Sequence, residues 1–302
     1  MSTFITCTST TRPGSPANGD VLFETDTNNV ILWDGTNWRG YESDGASGWS
    51  GTNAYYASFD GVDDYFTSPY GLNSVGSGDF SVSFWVKIPS IPTGTRVTFY
   101  SGDIQNQSTL QLNLRGSTDS SNPTKFRFYS ANSSMGTIFD NYSSFQYTTN
   151  TWYHVVFVRS GTNMKVYVGD SSTSPSLEMN VTDSNLSQTF GGDYFLLNMF
   201  PSSNPSYWPT GSAYLPGIGD IDELAVFHSA LTSSQVTNIY KGESNGGSGG
   251  TNGTKGNLMS FSPSAWYRFG DGIEGASGTT VYDMSKNSYN ATLENGAAYT
   301  AY

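Results

Sequence analysis

The chain has 302 residues, with 13 Lys and Arg against 25 Asp and Glu, a formal net charge of −12. That acidity, with no basic run, excludes polyanions such as DNA as partners, and no apolar run reaches the roughly 18 residues of a membrane span. The single Cys7 excludes a disulfide framework or a zinc–thiolate cluster, and with no His beside it the thiol reads as incidental. The start, MSTFITCTSTTRPGS, has no basic stretch leading into an apolar core, so an ordinary signal peptide is not expected.

Low charge (13%), 34 Gly and abundant aromatics (7 Trp, 20 Tyr, 18 Phe) point to β-structure rich in turns, with rings large enough to fill a core. Residues 1–42 open polar and broken by Pro13, Gly14 and Pro16. Val21–Thr25, Val30–Trp33 and Trp38–Tyr41 then alternate with turn-forming Asp, Asn and Gly, which predicts a β-meander. A meander of this size is too small to hold a core by itself. It is therefore expected to attach or oligomerise through Val21, Phe23, Leu32, Trp33 and Trp38, most plausibly as a trimer.

After a Gly/Ser-rich linker, residues 51–242 show repeated alternation: Phe80-Ser81-Val82-Ser83-Phe84, Leu110-Gln111-Leu112-Asn113-Leu114, Phe126-Arg127-Phe128 and Trp152–Val158. Short strands at even spacing predict an all-β, antiparallel two-sheet sandwich or jelly roll. One short helix is predicted over Ala230–Tyr240, with a Thr or Ser cap and apolar Val236, Ile239 and Tyr240. Residues 243–257 read as a Gly-rich tether and 258–302 as a final segment.

Within 51–242, Ser58–Phe66, Phe80–Val86, Thr151–Phe157, Gly219–Phe227 and the helix resemble the laminin-G-like, concanavalin A-like jelly-roll family. The resemblance implies two sheets face to face, one of them a glycan-holding face in many relatives, and a calcium ion held by Asp60 and Asp222. Those carboxylates otherwise read as caps on turns and backbone amides. In the final segment, Ala265–Phe269 and Asn290–Gly296 look like the usual beginning of such a domain, displaced to its end. Either the domain is circularly permuted, or this segment completes a neighbouring copy. The head, Thr11–Pro16 through Trp38, is similar to segments of tailed-phage virion proteins, and the whole looks like marine phage structural proteins. That implies a virion surface location, with capsid or fibre-base proteins as partners.

Tyr194, Tyr207, Trp208 and Tyr214 lie in a Pro-rich stretch. Such rings stack on sugars as a host-glycan platform, or pack against a neighbouring subunit. On a strand, Asp220 and Asp222 share a face and Glu223 takes the other. The nearest match to a jelly-roll glycanase motif, Asp220–Ala225, lacks its last acid at Ala225. Neither His154 nor His228 has the partners of a catalytic base. The expected function is therefore a non-enzymatic virion decoration or fibre protein. The alternatives are a calcium-dependent tail-fibre adhesin and a glycan-degrading enzyme.

Overall fold

The structure, a computed structural model, describes residues 5–17, 20–26, 29–33, 38–41, 55–101, 109–132, 134, 136–190, 195–197, 215–216, 218–243, 245, 255–256, 258–269, 278–285, 287 and 289–302. The chain divides into two units, Met1–Thr52 and Asn53–Tyr302.

In the first unit the predicted meander forms from Val21–Glu24, Asn29–Trp33 and Trp38–Tyr41. The polar leader adds a fourth strand, Ile5–Cys7, which pairs in parallel with Val21–Glu24. Asp26 secures it by accepting from the Ser9 backbone N–H and hydroxyl, and Arg12 pairs with the buried Glu24. Pleating sorts the faces. Leu22 and Ile31 pair and are buried, whereas Val21 and Phe23 turn to the other face, with Val21 exposed and Phe23 half-buried. Trp33 is half-buried, and the side chains of Leu32 and Trp38 lie outside the described residues.

The second unit is a sandwich of two mainly antiparallel sheets, as the alternation predicted. One has nine strands, in the order Thr137–Tyr142, Phe126–Ala131, Thr109–Leu114, Arg96–Ser101, Phe195–Leu197, Tyr65–Ser68, Ala291–Glu294, Thr280–Val281, with Leu215–Pro216 also on Arg96–Ser101. The other has eight: Ser176–Thr182, Asn163–Asp170, Trp152–Ser160, Phe80–Lys87, Gly219–Phe227, Tyr55–Phe59 and Ala298–Ala301, with Ala265–Tyr267 on Gly219–Phe227. The core between them is aromatic, with Phe84 stacked on Phe99 at 5.2 Å and Phe66 edge-on to Tyr267 at 5.2 Å. The final segment supplies two strands to each sheet of this same unit.

The helix, Ser233–Lys241, starts at a capping box, in which Thr232 Oγ1 accepts from Gln235 N–H and Gln235 Oε1 from Thr232 N–H. It ends at Gly242, whose φ of 69° is the left-handed stop that glycine takes without strain. Val236, Ile239 and Tyr240 are buried. Replacing Thr232 with Ala is expected to lower stability by about 1 kcal/mol and the melting temperature by roughly 2–4 °C in calorimetry. Among the described residues, no helix is long and apolar enough to cross a membrane.

Candidate functional site

Leu110, Leu112, Leu114, Phe126 and Phe128 point into the core, so Gln111, Asn113, Arg127 and Tyr129 project from the opposite, outer face of the nine-stranded sheet. Strand register aligns them in two rows. Gln111 lies opposite Tyr129, which lies opposite Asp140; Asn113 lies opposite Arg127, which lies opposite Tyr142. Arg127 crosses between the rows, donating from Nε and Nη2 to the two oxygens of Asp140, both at 2.7 Å. Its guanidinium also lies 4.4 Å from the centre of the Tyr129 ring. This fork-on-carboxylate pairing and the cation–π contact hold the arginine flat against the sheet.

Exposure grades along the rows. Asn113 is 0% exposed, Gln111 4% and Arg127 8%, whereas Tyr129 and Tyr142 are half-buried and Asp140 is exposed. Asn113 Nδ2 donates to Gln111 Oε1 at 3.3 Å, while among the described residues Asn113 Oδ1 meets no hydrogen-bond partner. An unmet buried amide oxygen costs about 1–3 kcal/mol, so this polar face is held at the expense of stability. Chemically, it offers an exposed carboxylate held by an arginine and two half-buried rings.

The aromatic stretch with Tyr194, Tyr207, Trp208 and Tyr214 lies outside the described residues. The short strands Phe195–Leu197 and Leu215–Pro216 are described, and both pair with Arg96–Ser101 in the sheet that carries the polar rows. The two rows themselves were missed by sequence reading. Their one sequence signal was the polar alternate residues of Leu110–Leu114 and Phe126–Tyr129.

The acids of Gly219–Phe227 behave differently from expectation. Asp220 and Asp222 share the outer face of the eight-stranded sheet, and Glu223 joins them there instead of facing the core. The reason is a bulge between Asp222 and Ala225, with Glu223 at φ 52°, which breaks the alternation. Asp220 pairs with Lys87 at 2.7 Å and accepts from Ser58. Asp222 Oδ2 accepts from Lys255 Nζ and from the Tyr302 hydroxyl, each at 2.6 Å, and its Oδ1 from the Glu223 N–H. Glu223 accepts from Trp266 Nε1 at 2.6 Å and Arg268 Nε at 3.1 Å. Burial pushes both the Asp222 and Glu223 carboxyls above their ordinary range, while Lys255 and Arg268 respectively oppose the shift. A cavity of about 10 Å³ beside Glu223, lined also by Ser83, Trp85 and Lys255, has room for one water and none for a sugar. This is a closed ionic layer under the helix rather than a hydrolytic cleft.

His154 belongs to the same layer. It is fully buried between Trp85 and Tyr240, with Nε2 2.8 Å from Ser83 Oγ. His228 bonds the Tyr70 hydroxyl.

Asp60 and Asp222, the expected calcium pair, take different partners. Asp60 meets Asp63 and Asp64, with one carboxylate oxygen from each lying within 4.8 Å of the others. Asp222 already holds the Lys255 ammonium and the Tyr302 hydroxyl, and it does not join the Asp60 cluster. A calcium ion, which takes roughly six to eight oxygens, would be held by Asp60, Asp63 and Asp64 with nearby carbonyls. Their present bonds are turn bonds: Asp60 Oδ1 accepts from Val62 N–H at 2.7 Å and Asp64 Oδ2 from Asp60 N–H at 3.0 Å. Burial raises the Asp64 carboxyl, and the charges of Asp60 and Asp63 add to it.

The model of the laminin-G branch of the concanavalin A-like lectin/glucanase superfamily matches residues 60–237, more than half of the chain. The chain belongs to this superfamily. Four strands of the sandwich come from beyond residue 237, outside the matched span. A protein from Bacteroides ovatus assigned a carbohydrate-binding role has a similar fold, with a TM-score of 0.51 and 15% identity, over 90% of this chain and 72% of that one. Also similar are a heptameric SAP-like pentraxin from Limulus polyphemus (14% identity, 68% and 87% covered, TM-score 0.44) and domain 4 of AbnA, a GH43 extracellular arabinanase from Geobacillus stearothermophilus (24%, 61% and 75%, 0.41). No curated protein matches the chain.

Proposed function

We propose that this chain is a non-enzymatic, surface-displayed glycan-binding protein, and that the outer face of the nine-stranded sheet is its binding face. The observation that carries the reading is the double polar row, in which Tyr129 and Tyr142 present rings to sugar C–H faces. Asp140, exposed and gripped by Arg127, stands beside them to meet hydroxyls. Superfamily membership and the Bacteroides ovatus fold neighbour agree with a carbohydrate ligand.

The setting we propose is a virion surface, on the strength of the head segment's resemblance to phage proteins. The first unit would attach the chain to capsid or fibre-base partners as a trimer, through the face bearing Val21 and Phe23. Immunogold labelling of particles tests the setting: gold on heads or tails supports it, and clean particles with free protein in the lysate reject it.

The binding claim is tested on a glycan array with the full chain. Tyr129→Ala and Trp208→Ala are each expected to weaken the strongest hit about tenfold, an effect of roughly 1.4 kcal/mol. An array without hits, or variants that bind like the parent, rejects it. Repeating the array in chelator tests calcium at Asp60, Asp63 and Asp64: lost binding supports the ion and unchanged binding removes it.

A further inference from the structure

The Gly-rich tether carries one cationic residue, Lys255, and the structure does not leave it in solvent. Its side chain is 5% exposed, with Nζ 2.6 Å from the fully buried Asp222 Oδ2. The same nitrogen lies 4.0 Å from the ring centre of Trp152, 4.2 Å from that of Tyr302 and 5.8 Å from that of Trp85. Tyr302, the last residue of the chain, donates its hydroxyl to the same Asp222 oxygen and packs edge-on against Tyr56. Next to Lys255, Gly256 lies so close to Gly242 that a Cβ would sit 2.7 Å from the Gly242 Cα, so the tether touches the helix stop directly.

We propose that Asp222, Trp85, Trp152 and Tyr302 form a cage for a primary alkylammonium group, which Lys255 fills from within the chain, and that this capture seats the final segment on the sandwich. Ring faces attract a cation through their quadrupoles, and a carboxylate at one wall supplies the counter-charge and the hydrogen bond. Such a site selects charge and shape together: a neutral group of the same length gains neither the ring attraction nor the ion pair. The seating role follows from convergence. Lys255 of the tether and Tyr302 meet on one oxygen, and between Tyr302 and the segment's other strands lies Ala298–Ala301, an edge strand whose strand partner is Tyr55–Phe59.

The test is chemical rescue in the full chain. Lys255→Gly empties the cage in a tether that already tolerates glycine. Its melting temperature is expected to fall and to recover saturably with n-butylammonium chloride, but not with n-butanol or sodium chloride at equal concentration. Equal recovery with butanol, or no saturable recovery with the ammonium, overturns the cage. Tyr302→Ala keeps the proposal testable if the first variant does not fold. Amide exchange over Ala298–Ala301 is expected to quicken about tenfold while Phe80–Lys87 exchanges as before. Unchanged exchange at Ala298–Ala301 overturns the seating role, as does equal quickening in both strands.

Discussion

Replacing Glu223 with Ala is expected to destabilise the second unit by about 3–5 kcal/mol, lowering its melting temperature by roughly 10 °C. Arg268 is fully buried, and Glu223 is the carboxylate that meets its Nε and accepts from Trp266 Nε1. Truncation removes the carboxylate that both the guanidinium and the indole N–H bond, and losing that charge inside a buried layer dominates the effect. Both Glu and Ala are strained alike at the left-handed φ of 52°, so the difference reports the side chain and not the backbone. Glu223→Gln keeps an oxygen for Trp266 and removes only the charge, so it is expected to fall between parent and Ala. Denaturant melts of the three proteins check the order; a loss of no more than about 1 kcal/mol for Ala would mean that the layer is wetter than the geometry implies.

Acid titration gives the second large effect. His154 is fully buried, and burial lowers its pKa from the ordinary 6.5 to about 3. In the unfolded chain it takes a proton below about pH 6.5, while the folded chain takes none until near pH 3, so the unfolded state binds the extra proton between those values. The sign follows. Stability from this group is complete above about pH 6.5 and is lost as pH falls towards 3, by about 4 kcal/mol across the window. His228, also lowered by burial, adds a smaller loss of the same sign. The variant His154→Gln isolates the first contribution, since Gln can still bond Ser83 but does not titrate. It is expected to be less stable at pH 7, with a shallower loss on acidification by about one proton. Parallel pH profiles for parent and variant would contradict the assignment.

Much of the fold was legible because alternation is a local signal. Phe80-Ser81-Val82-Ser83-Phe84 declares its two faces, and Thr232 with Gln235 announces the helix start, independently of anything distant. The failures are non-local. Glu223 faces away from the core because of a bulge set by pairing with Phe80–Lys87 on one side and Ala265–Tyr267 on the other, neither of them near in sequence. Ile5–Cys7 reads as polar leader, and becomes a strand only by docking in parallel beside Val21–Glu24. Lys255 sits in a composition that spells flexibility, yet a carboxylate 33 residues earlier and the last residue of the chain hold it. As for the candidate site, Gln111, Asn113, Arg127 and Tyr129 were visible as the polar halves of two strands. Their alignment into rows depends on the register across the connections between strands, which alternation does not encode. The expected aromatic residues Tyr194, Tyr207, Trp208 and Tyr214 lie outside the described residues.

The most direct test of the glycan-binding face is hydrogen–deuterium exchange by mass spectrometry on the full chain, with and without the strongest glycan from the array. Slowed exchange is expected in peptides covering Thr109–Leu114, Phe126–Ala131 and Thr137–Tyr142, abolished by Tyr129→Ala. Slowed exchange confined to the first unit or to the edge strand Ser176–Thr182, with those three strands unchanged, would contradict it.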